Sequence, residues 1–600
     1  MPQSQLLTNL NPSQKEAVLQ TEGPILILAG PGSGKTRCLA HKIAFLVQEK
    51  KVDPGRILGV TFTNKAANEM RERVTKLSEN PKQKFPWIGT FHATCAKILR
   101  RDGKNLGIPP NFLIYDETDQ IQLVKKVLKK IDLNEQKMNP KAVLNAVSSA
   151  KNELVAPDAY AALARGFFQE TVSRLYPEYQ KALTQNSALD FDDLIMRTIE
   201  LFEKNPAILN IYQRLFQYIL VDEYQDTNKA QYVLTKLLSG KRQNICVVGD
   251  PGQSIYAWRG ADIRNILQFE ADYPKVKIIR LEQNYRSTQT IIEAASRLIQ
   301  HNPSHPKLIL WTENSTGESL KVIETADEER EANFLSREIA FDNRPFSDFV
   351  VLYRTNAQSR VIEEVFLKTK IPYTILGGTR FYERKEIKDI LAYLRLFANP
   401  QDSVSLERAE KIGKHRLSRV LTLQKEINPS RVSPLEILDQ VLTVSQYLET
   451  LKDKTEEGEG KVENVKELRS VATDFVNLAD FLENVALVQQ EYLPDVNKSP
   501  GGANQNVVKL MTLHTAKGLE FPIVFIVGFE EGLLPHSRSL IDKLELEEER
   551  RLCYVGITRA KEKVYLTHAQ KRLFFGSTSF NEVSRFLDEL PSELIEKWQV

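Results

Sequence analysis

The sequence predicts an α/β protein built from two parallel-sheet domains, each with a mainly helical inserted subdomain. Short runs rich in Ile, Val and Leu recur along the chain, and each is followed by a polar turn and a helical pattern, as expected of parallel strands buried on both faces. These runs fall into two series, and a long helical stretch interrupts each series. A chain of 600 residues is also too long for one hydrophobic core, so several domains are expected.

The first series of strand runs defines the first domain. We assign residues 1–103 and 189–280 to this domain. Residues 104–188 form its helical insert, because they contain the helical pattern "DETDQIQLVKKVLKKIDL" and no strand-like run. The strand runs are "PILILAG" (24–30), "RILGVTFTN" (56–64), "WIGTFHA" (87–93), "YILVDEYQD" (218–226) and "ICVVGD" (245–250).

The second series predicts the second domain, at residues 281–376 and 505–600, with a helical insert at 377–504. This insert contains the charged, glycine-spaced stretch "KTEEGEGKVEN" (454–464) and ends in a flexible linker, "NKSPGGANQN" (497–506). The strand runs are "VKIIRLEQNYRS" (276–287), "DFVVLYRTN" (348–356), "VVKLMTLHTAKG" (507–518), "FPIVFIVGFE" (521–530) and "KVYLTH" (563–568).

Composition and charge narrow the class of protein. The formal net charge of +3 gives only a weak overall field, so a nucleic-acid site would have to be a local basic groove. The four cysteines lie far apart without a CxxC pair, which argues against a zinc site or a disulfide framework and indicates a reducing compartment. We see no signal peptide and no apolar run of membrane-spanning length, so we expect a soluble, cytoplasmic protein without a membrane partner.

The stretch "PILILAGPGSGKTRCL" predicts a strand, a glycine-rich turn and the start of a helix, as in a phosphate-binding loop. Lys35 would reach the β- and γ-phosphates of a nucleotide, and the Thr36 hydroxyl would ligate Mg²⁺. Ala29 stands where the usual pattern has its first glycine. The alternative is an ordinary glycine-rich loop, which the flanking strand and helix disfavour. The glycines that let backbone N–H groups turn toward phosphate oxygens are Gly30, Gly32 and Gly34.

Two adjacent acids follow a predicted strand in "ILVDEYQD". Asp222 at the carboxyl end of the strand could hold Mg²⁺, directly or through water. Glu223 could orient and deprotonate the attacking water. Adjacent acids are usually solvated surface groups, but the buried strand and the upstream phosphate loop disfavour that alternative.

Two arginines from the second domain could complete the site. Arg286 lies in "LEQNYRST" and Arg559 in "YVGITRAKEK". An arginine finger stabilises charge on a transferring phosphoryl group and is worth about 10³–10⁵ in rate. Taken singly, each arginine is more readily explained as a surface ion-pair partner.

Eleven motifs occur in the order seen in superfamily 1 DNA helicases, so the sequence resembles that family and, within it, the UvrD/PcrA/Rep group. The resemblance covers nearly the whole chain. The motifs are "LNPSQKEAV", "AGPGSGKT", "TFTNKAANEMRERV", "GTFHA", "LDFDDL", "VDEYQDTN", "GDPGQSIYAWRGA", "LEQNYRS", "VLYRTNAQSR", "LMTLHTAKGLEFPIVFIVG" and "EERRLCYVGITRAKEKVYL".

The resemblance implies that ATP and Mg²⁺ bind between two RecA-like domains, that single-stranded DNA crosses their top, and that travel is 3′ to 5′. Gln14 would read the adenine edge, Tyr285 would stack on the adenine, and Gln253 would sense the γ-phosphate. The implied catalytic residues are Lys35, Glu223, Gln253, Arg286 and Arg559, the last two as arginine fingers. The implied nucleotide contacts are Gln14, Ala29, Gly30, Gly32, Ser33, Gly34, Lys35, Thr36, Arg37, Tyr285 and Glu520; the implied metal ligands are Thr36 and Asp222.

The sequence departs from the family pattern in two places. The second insert is short, and "AEKIGKHRLSR" (409–419) only partly matches the Gly-Ile-Gly turn with which relatives are thought to grip duplex DNA. We also expect the tail that many relatives use for partner binding to be absent. Single-stranded DNA and its junctions with duplex remain the implied partners, together with repair or replication proteins.

Candidate DNA-facing residues follow the strands that carry the nucleotide motifs. Aromatic side chains can stack on bases with little sequence preference, and polar side chains can position phosphates. Core packing is the alternative for each aromatic, and it is least expected for Trp258, which lies just past a polar turn. The candidates are Phe62, Asn64, Phe91, His92, Phe191, Tyr256, Trp258, Arg259, Arg354, Asn356 and His514.

The stretch "VVGDPGQSIYAWRGA" (247–261) contains both predicted nucleotide contacts and predicted DNA contacts. Gln253 would contact the γ-phosphate, while Tyr256 and Trp258 would hold a base a few residues away. We therefore predict that this loop transmits the state of the nucleotide to DNA, because coupling requires a contact that differs between two states.

Three functions fit these features. The first is an ATP-driven single-strand DNA translocase that unwinds duplex. The second is a translocase that strips proteins from DNA and unwinds weakly alone, which the short second insert favours. The third, an ATP-gated DNA-binding scaffold without turnover, is disfavoured because a scaffold has no need of the complete set of catalytic side chains.

Overall fold

The computed structural model describes residues 5–78, 80, 82–132, 138–429, 431–453, 455–491 and 506–600. The chain forms two compact units: the first comprises Met1–Tyr285 and Ser304–Trp311, and the second comprises Arg286–Pro303 and Thr312–Val600. Residues 497–505 of the predicted linker lie outside the described residues.

The described strands and helices are as follows. The strands are β1 (Ile25–Ala29), β2 (Ile57–Thr61), β3 (Ile88–Thr90), β4 (Leu113–Ile114), β5 (Ala188–Leu189), β6 (Tyr218–Val221), β7 (Ile245–Gly249), β8 (Lys277–Leu281), β9 (Gln283–Asn284), β10 (Trp311–Thr312), β11 (Leu320–Thr325), β12 (Phe349–Tyr353), β13 (Tyr373–Ile375), β14 (Val508–Thr512), β15 (Phe521–Ile526), β16 (Ala560–Ala569), β17 (Arg572–Phe574), β18 (Ser577–Ser579) and β19 (Ile595–Gln599). The α-helices are α1 (Pro12–Leu19), α2 (Lys35–Gln48), α3 (Asn64–Leu77), α4 (Phe91–Asp102), α5 (Glu117–Lys130), α6 (Pro140–Asn152), α7 (Pro157–Leu163), α8 (Gly166–Gln185), α9 (Phe191–Lys204), α10 (Pro206–Leu215), α11 (Lys229–Ser239), α12 (Arg264–Leu267), α13 (Phe269–Asp272), α14 (Gln289–Ile299), α15 (Glu328–Phe341), α16 (Ser359–Lys368), α17 (Lys385–Ala398), α18 (Ser403–Ile412), α19 (Lys414–Glu426), α20 (Pro434–Ser445), α21 (Tyr447–Leu451), α22 (Glu456–Thr473), α23 (Leu478–Glu491) and α24 (Lys543–Ile557).

A parallel sheet with the strand order β3-β2-β6-β7-β1-β8 lies at the centre of the first unit. Both faces of this sheet are buried, since alternate residues of β1 enter different clusters of the core. Leu26 and Leu28 pack on one side, and Ile25 and Ile27 pack on the other. Burial on both faces explains why these strands are continuous apolar runs in the sequence.

The grouping of the run "VKIIRLEQNYRS" (276–287) with the second series of strands is wrong for strand β8, although the predicted boundary at residue 280 leaves most of β8 in the first domain. Strand β8 pairs in parallel with β1 in the first sheet, where Lys277 lies opposite Ile25 and Leu281 lies opposite Ala29. An apolar run indicates a buried strand without indicating which sheet it joins. The predicted domain boundaries otherwise remain a prediction.

The first insert consists of helices α5 to α8 around an apolar core of its own, which includes Leu123, Val143, Leu175 and Tyr176. The prediction of no strand in this segment was too strict, because β4 pairs with β5 over two residues on each side. Such short strands show no periodicity in the sequence.

A parallel sheet with the order β13-β14-β12-β15-β16-β11-β19 forms the core of the second unit. Strands β11, β13 and β19 were not predicted; β19, "IEKWQ", carries charged residues because it lies at the edge of the sheet. The second insert contains helices α17 to α23 and has its own apolar cluster. The two parallel sheets confirm the predicted fold class.

All four cysteines (Cys38, Cys95, Cys246 and Cys553) are buried and form no disulfide. Burial raises the pKa of each thiol, in the case of Cys38 and Cys95 to about 12. Among the described helices, none is both long and apolar enough to cross a membrane.

Candidate nucleotide site and DNA-facing residues

The predicted phosphate-binding loop is a tight turn between β1, which ends at Ala29, and α2, which begins at Lys35. Gly32 and Gly34 have φ angles of 63° and 82°, in the left-handed region that a side chain disfavours. The buried Ser33 hydroxyl closes the turn by donating to the Gly30 carbonyl at 2.7 Å. No side chain caps α2, so its N-terminal end suits an anion.

Lys35 and Thr36, the side chains of this loop that are predicted to bind phosphate and metal, contact acids that follow neighbouring strands. Thr36 Oγ1 donates to Asp222 Oδ2 at 3.0 Å. Lys35 Nζ lies 3.9 Å from Asp250 Oδ2, and the lysine side chain is only 10% exposed. The structure therefore gathers the predicted phosphate lysine and the predicted metal ligands at one edge of the first sheet.

The predicted acid pair has an unusual backbone and a perturbed charge. Glu223 has a φ angle of 52°, a conformation that costs a non-glycine residue about 1–3 kcal/mol and that clusters at functional sites. Burial, followed by the charge of Glu223, raises the pKa of the Asp222 carboxyl to about 7. A cation beside Asp222 would stabilise its charged form.

Thr36 and Asp222 fit Mg²⁺ by the chemistry of their oxygen atoms. The described residues contain no group of three or more His, Cys, Asp or Glu side chains that could hold a metal. Mg²⁺ bound together with substrate phosphates needs only one or two protein ligands, so this pair is sufficient for such a site.

A chain of hydrogen bonds that was not predicted links Glu223, the predicted general base, to Gln253, the predicted γ-phosphate sensor. Gln225 Nε2 donates to Glu223 Oε2 at 2.6 Å, and Gln225 Oε1 accepts from the Asp250 N–H at 3.0 Å. Gln253 Nε2 in turn donates to Asp250 Oδ2 at 2.7 Å. The sequence indicates that "DEYQD" and "GDPGQ" each follow a strand, but only the structure shows that these strands, β6 and β7, pair in parallel.

The predicted adenine contacts lie beside the same loop. Both ends of the buried Gln14 amide are used within the protein: Nε2 donates to the Ser33 carbonyl at 2.9 Å, and Oε1 accepts from the Asn11 N–H at 3.2 Å. The Tyr285 hydroxyl accepts from Asn11 Nδ2 and donates to Gln283 Oε1, both at 2.8 Å. Tyr285 as a whole residue is 46% exposed, so its hydroxyl is held by hydrogen bonds while the residue stays accessible for stacking. The predicted contact Arg37 donates from Nη2 to the Asn9 carbonyl at 2.7 Å.

The second unit brings both predicted arginine fingers and Glu520 together. Arg286 donates from Nε to Glu520 Oε2 at 2.8 Å and from Nη1 to the Thr558 carbonyl at 3.0 Å. Arg559 is 1% exposed and donates to the carbonyls of Val555 and Leu519 at 3.0 and 3.2 Å. Lys561, which the sequence analysis did not identify, also binds Glu520, at 2.9 Å.

The DNA-facing candidates of the first unit differ in exposure. Phe191 is 48% exposed, and its ring lies edge-on to that of His92 with centroids 5.8 Å apart. Phe91 is only 2% exposed and packs in the core, while the half-buried Phe62 meets its ring at 5.9 Å. Asn64 is exposed at the first position of α3. Phe191 and Asn64 are thus more accessible to DNA than Phe91.

The loop that follows Gln253 presents its aromatic rings to the surface. Trp258 is 43% exposed, and the Arg259 guanidinium carbon lies 4.4 Å from the centroid of its ring. The Tyr256 ring is 6.4 Å from Trp258 and tilted by 65°. Ile255, between Gln253 and Tyr256, is fully buried and anchors the loop.

The DNA-facing candidates of the second unit are more enclosed. The Arg354 side chain is 11% exposed, and its guanidinium is 2.9 Å from Glu549 and 2.9 Å from Glu456 of the second insert. Asn356 and His514 are half-buried. All the DNA-contact assignments remain predictions.

Comparison with known proteins identifies the family of the chain. The model of the UvrD/REP helicase N-terminal domain matches residues 10–274, and the model of the UvrD-like helicase C-terminal domain matches residues 279–432 and 435–571. The chain is 46% identical over 646 aligned positions to a protein named ATP-dependent DNA helicase PcrA of Bacillus subtilis, a match that covers 99% of this chain and 87% of the relative. The proteins of the same name from Staphylococcus aureus and Staphylococcus epidermidis are also 46% identical and are covered to the same 87%, with 98% of this chain. The chain therefore belongs to the UvrD-like helicase family.

Proposed function

We propose that the protein is a DNA-dependent ATPase that moves 3′ to 5′ along single-stranded DNA and unwinds duplex at a junction. The observation that carries this proposal is the chain of hydrogen bonds from Glu223 through Gln225 and Asp250 to Gln253, which continues along the backbone to the exposed Trp258. Its relatives are named ATP-dependent DNA helicases, which supports the same activity.

The predicted site residues have separate roles in phosphoryl transfer. The loop N–H groups and Lys35 hold the phosphates, and Glu223 orients the attacking water and accepts its proton. Mg²⁺, when held by Thr36 and Asp222 with the phosphates, neutralises phosphate charge. Arg286 and Arg559 stabilise the charge that develops during transfer.

The loop from Gln253 to Arg259 couples hydrolysis to movement. Gln253 loses a contact when the γ-phosphate leaves, and the loop then holds the stacked base differently. A ligand shifts a conformational equilibrium only through such a difference in affinity.

The substrate is single-stranded DNA and its junction with duplex, and the setting is DNA repair or replication in the cytoplasm. Stacking on Phe191 and Trp258 is tolerant of base sequence, as a translocating enzyme requires. Partner proteins that load or recruit the enzyme belong to this setting.

Strand displacement on duplexes with either a 3′ or a 5′ single-stranded tail tests the proposal. We expect ATP-dependent unwinding of the 3′-tailed duplex and little unwinding of the 5′-tailed one. Equal unwinding of both would refute the direction, and an ATPase unaffected by DNA would refute the function.

A second function, removal of bound proteins from DNA with weak unwinding, is favoured by the short second insert predicted at residues 377–504. The alignment to the Bacillus subtilis relative spans 646 positions, so at least 46 positions have no counterpart in the 600 residues here. Rapid displacement of streptavidin from biotinylated single-stranded DNA, combined with poor duplex unwinding, would support this function over the first.

A further inference from the structure

We propose that Lys151, in helix α6 of the first insert, is a positioning residue that sets the DNA-stacking ring of Phe191. This inference rests on the proposed function, because it assumes that Phe191 contacts a DNA base. Lys151 does not itself reach the surface, so it can act on DNA only through another residue.

A buried ion cluster surrounds the backbone of Phe191. Lys151 Nζ lies 2.6 Å from Asp190 Oδ2 and 2.9 Å from Asp193 Oδ1. Lys151, Asp190 and Asp193 are each no more than 1% exposed. Phe191, immediately after Asp190, is the first residue of α9 and is 48% exposed. A fully buried ion cluster therefore lies directly beneath an exposed aromatic ring.

One carboxylate oxygen of each aspartate accepts a hydrogen bond from the backbone N–H of the other aspartate. Asp190 Oδ1 accepts from the Asp193 N–H at 2.8 Å, and Asp193 Oδ2 accepts from the Asp190 N–H at 3.4 Å, which makes a reciprocal cap of α9. The remaining oxygen of each carboxylate binds Lys151. The lysine thus fixes both members of the cap between which Phe191 stands.

Lys151 is held in its positively charged form by its two aspartate partners. Burial alone would lower its pKa, but Asp193 and Asp190 together raise it above its ordinary value. Two further donors from the insert complete the cluster: the Tyr179 hydroxyl binds Asp190 at 3.0 Å, and Gln180 Nε2 binds Asp193 at 3.1 Å. Removing the lysine would leave Asp190 without its counter-ion and Asp193 with only the longer contact to Arg197, at 4.0 Å, so the cap and the ring of Phe191 would shift.

The structure also shows why a shift of the cap would matter to the ring. The His92 ring contacts Phe191 edge-on at 5.8 Å, and His92 belongs to a different helix, α4. The Phe191 ring is therefore oriented from two sides, by a neighbouring ring and by the first turn of α9. A displaced first turn would change the face that Phe191 offers to a base.

A double-mutant cycle tests the proposal. Dissociation constants for a fluorescent single-stranded oligonucleotide are measured for the wild type, Lys151→Met, Phe191→Ala and the double variant. We expect each single variant to weaken binding roughly 5- to 150-fold, as for the loss of one stacked base, and the double variant to be no weaker than Phe191→Ala. Lys130→Met is the matched control, since it breaks an ion pair with Glu178 within the same insert; we expect wild-type affinity.

The outcomes separate positioning from a purely structural role. Lower thermal stability of Lys151→Met with wild-type DNA affinity would overturn the proposal. So would additive losses in the double variant, or wild-type affinity of Phe191→Ala. If Lys151→Met does not fold, the cycle is repeated with Asp190→Ala and Asp193→Ala added to it, which removes the unpaired charges together with the cap through which Lys151 acts; wild-type affinity of that variant would again overturn the proposal. DNA stimulation of the wild-type ATPase tests the proposed function separately.

Discussion

The side chains assigned to the nucleotide are held differently in the two units. In the first unit they form one connected network: Thr36 binds Asp222, and Gln225 joins Glu223 to Asp250. In the second unit Arg286 binds Glu520, but the buried Arg559 binds backbone carbonyls of its own unit. A change at one side chain of the first unit should therefore disturb several others, whereas a change at Arg559 should act on turnover and on the local stability of the second unit.

Lys35→Ala should have the largest effect of the changes in the first unit. We expect ATP hydrolysis to be nearly abolished, because the phosphates lose their fixed positive charge and Asp250 loses its nearby cation. Steady-state phosphate release with DNA present measures the effect. Substantial residual turnover would contradict the assignment of the phosphate lysine.

Arg286→Ala and Arg559→Ala should each lower turnover, by up to about 10³–10⁵ for an arginine finger. If both act on the same phosphoryl group, their effects on turnover should be non-additive. Arg559→Ala should also lower the melting temperature more than Arg286→Ala, because the Arg559 guanidinium is buried and makes three hydrogen bonds.

Two outcomes would contradict this assignment. Strictly additive losses of turnover would show that the two arginines do not share a phosphoryl group. An equal change in melting temperature for the two variants would show that the burial of Arg559 contributes nothing to the stability of the second unit.

Glu223→Gln should keep nucleotide binding and lose about 10²–10⁴ in turnover, the usual contribution of a positioned base. The amide oxygen of the new glutamine can still accept a hydrogen bond from Gln225, so the chain of hydrogen bonds is weakened but not interrupted. Glu270→Gln, an exposed change in the same unit, is the control and should hydrolyse ATP normally. Wild-type turnover by Glu223→Gln would assign the base to another residue.

Trp258→Ala should have the smallest effect, since it removes one stacking surface worth about 1–3 kcal/mol of DNA contact. DNA stimulation of the ATPase should fall.

Gln253→Ala should instead retain DNA binding and lose the response of that binding to a non-hydrolysable ATP analogue. Oligonucleotide titrations with and without the analogue distinguish Gln253→Ala from Trp258→Ala. Unchanged DNA stimulation of the ATPase in Trp258→Ala would contradict the hypothesis that this loop couples the nucleotide to DNA.

The features that could be predicted from the sequence are those determined by residues close to one another along the chain. The phosphate loop, the acid pair and most strands are local patterns, because turns, caps and buried runs are decided within a few residues. The contacts that were missed join distant segments: Gln225 meets Asp250, Lys151 meets Asp190, and Arg354 meets Glu549. No local pattern specifies such pairs, and for the same reason the sheet that β8 joins was misassigned.

The burial of all four cysteines makes the protein suitable for site-specific labelling without prior removal of its thiols. A thiol reacts as its thiolate, and burial both hides these groups and disfavours that form. A cysteine introduced at the exposed Ala257, between Tyr256 and Trp258, would be the one readily labelled thiol. A dye attached there would report in real time, through its emission, how the loop responds when nucleotide binds.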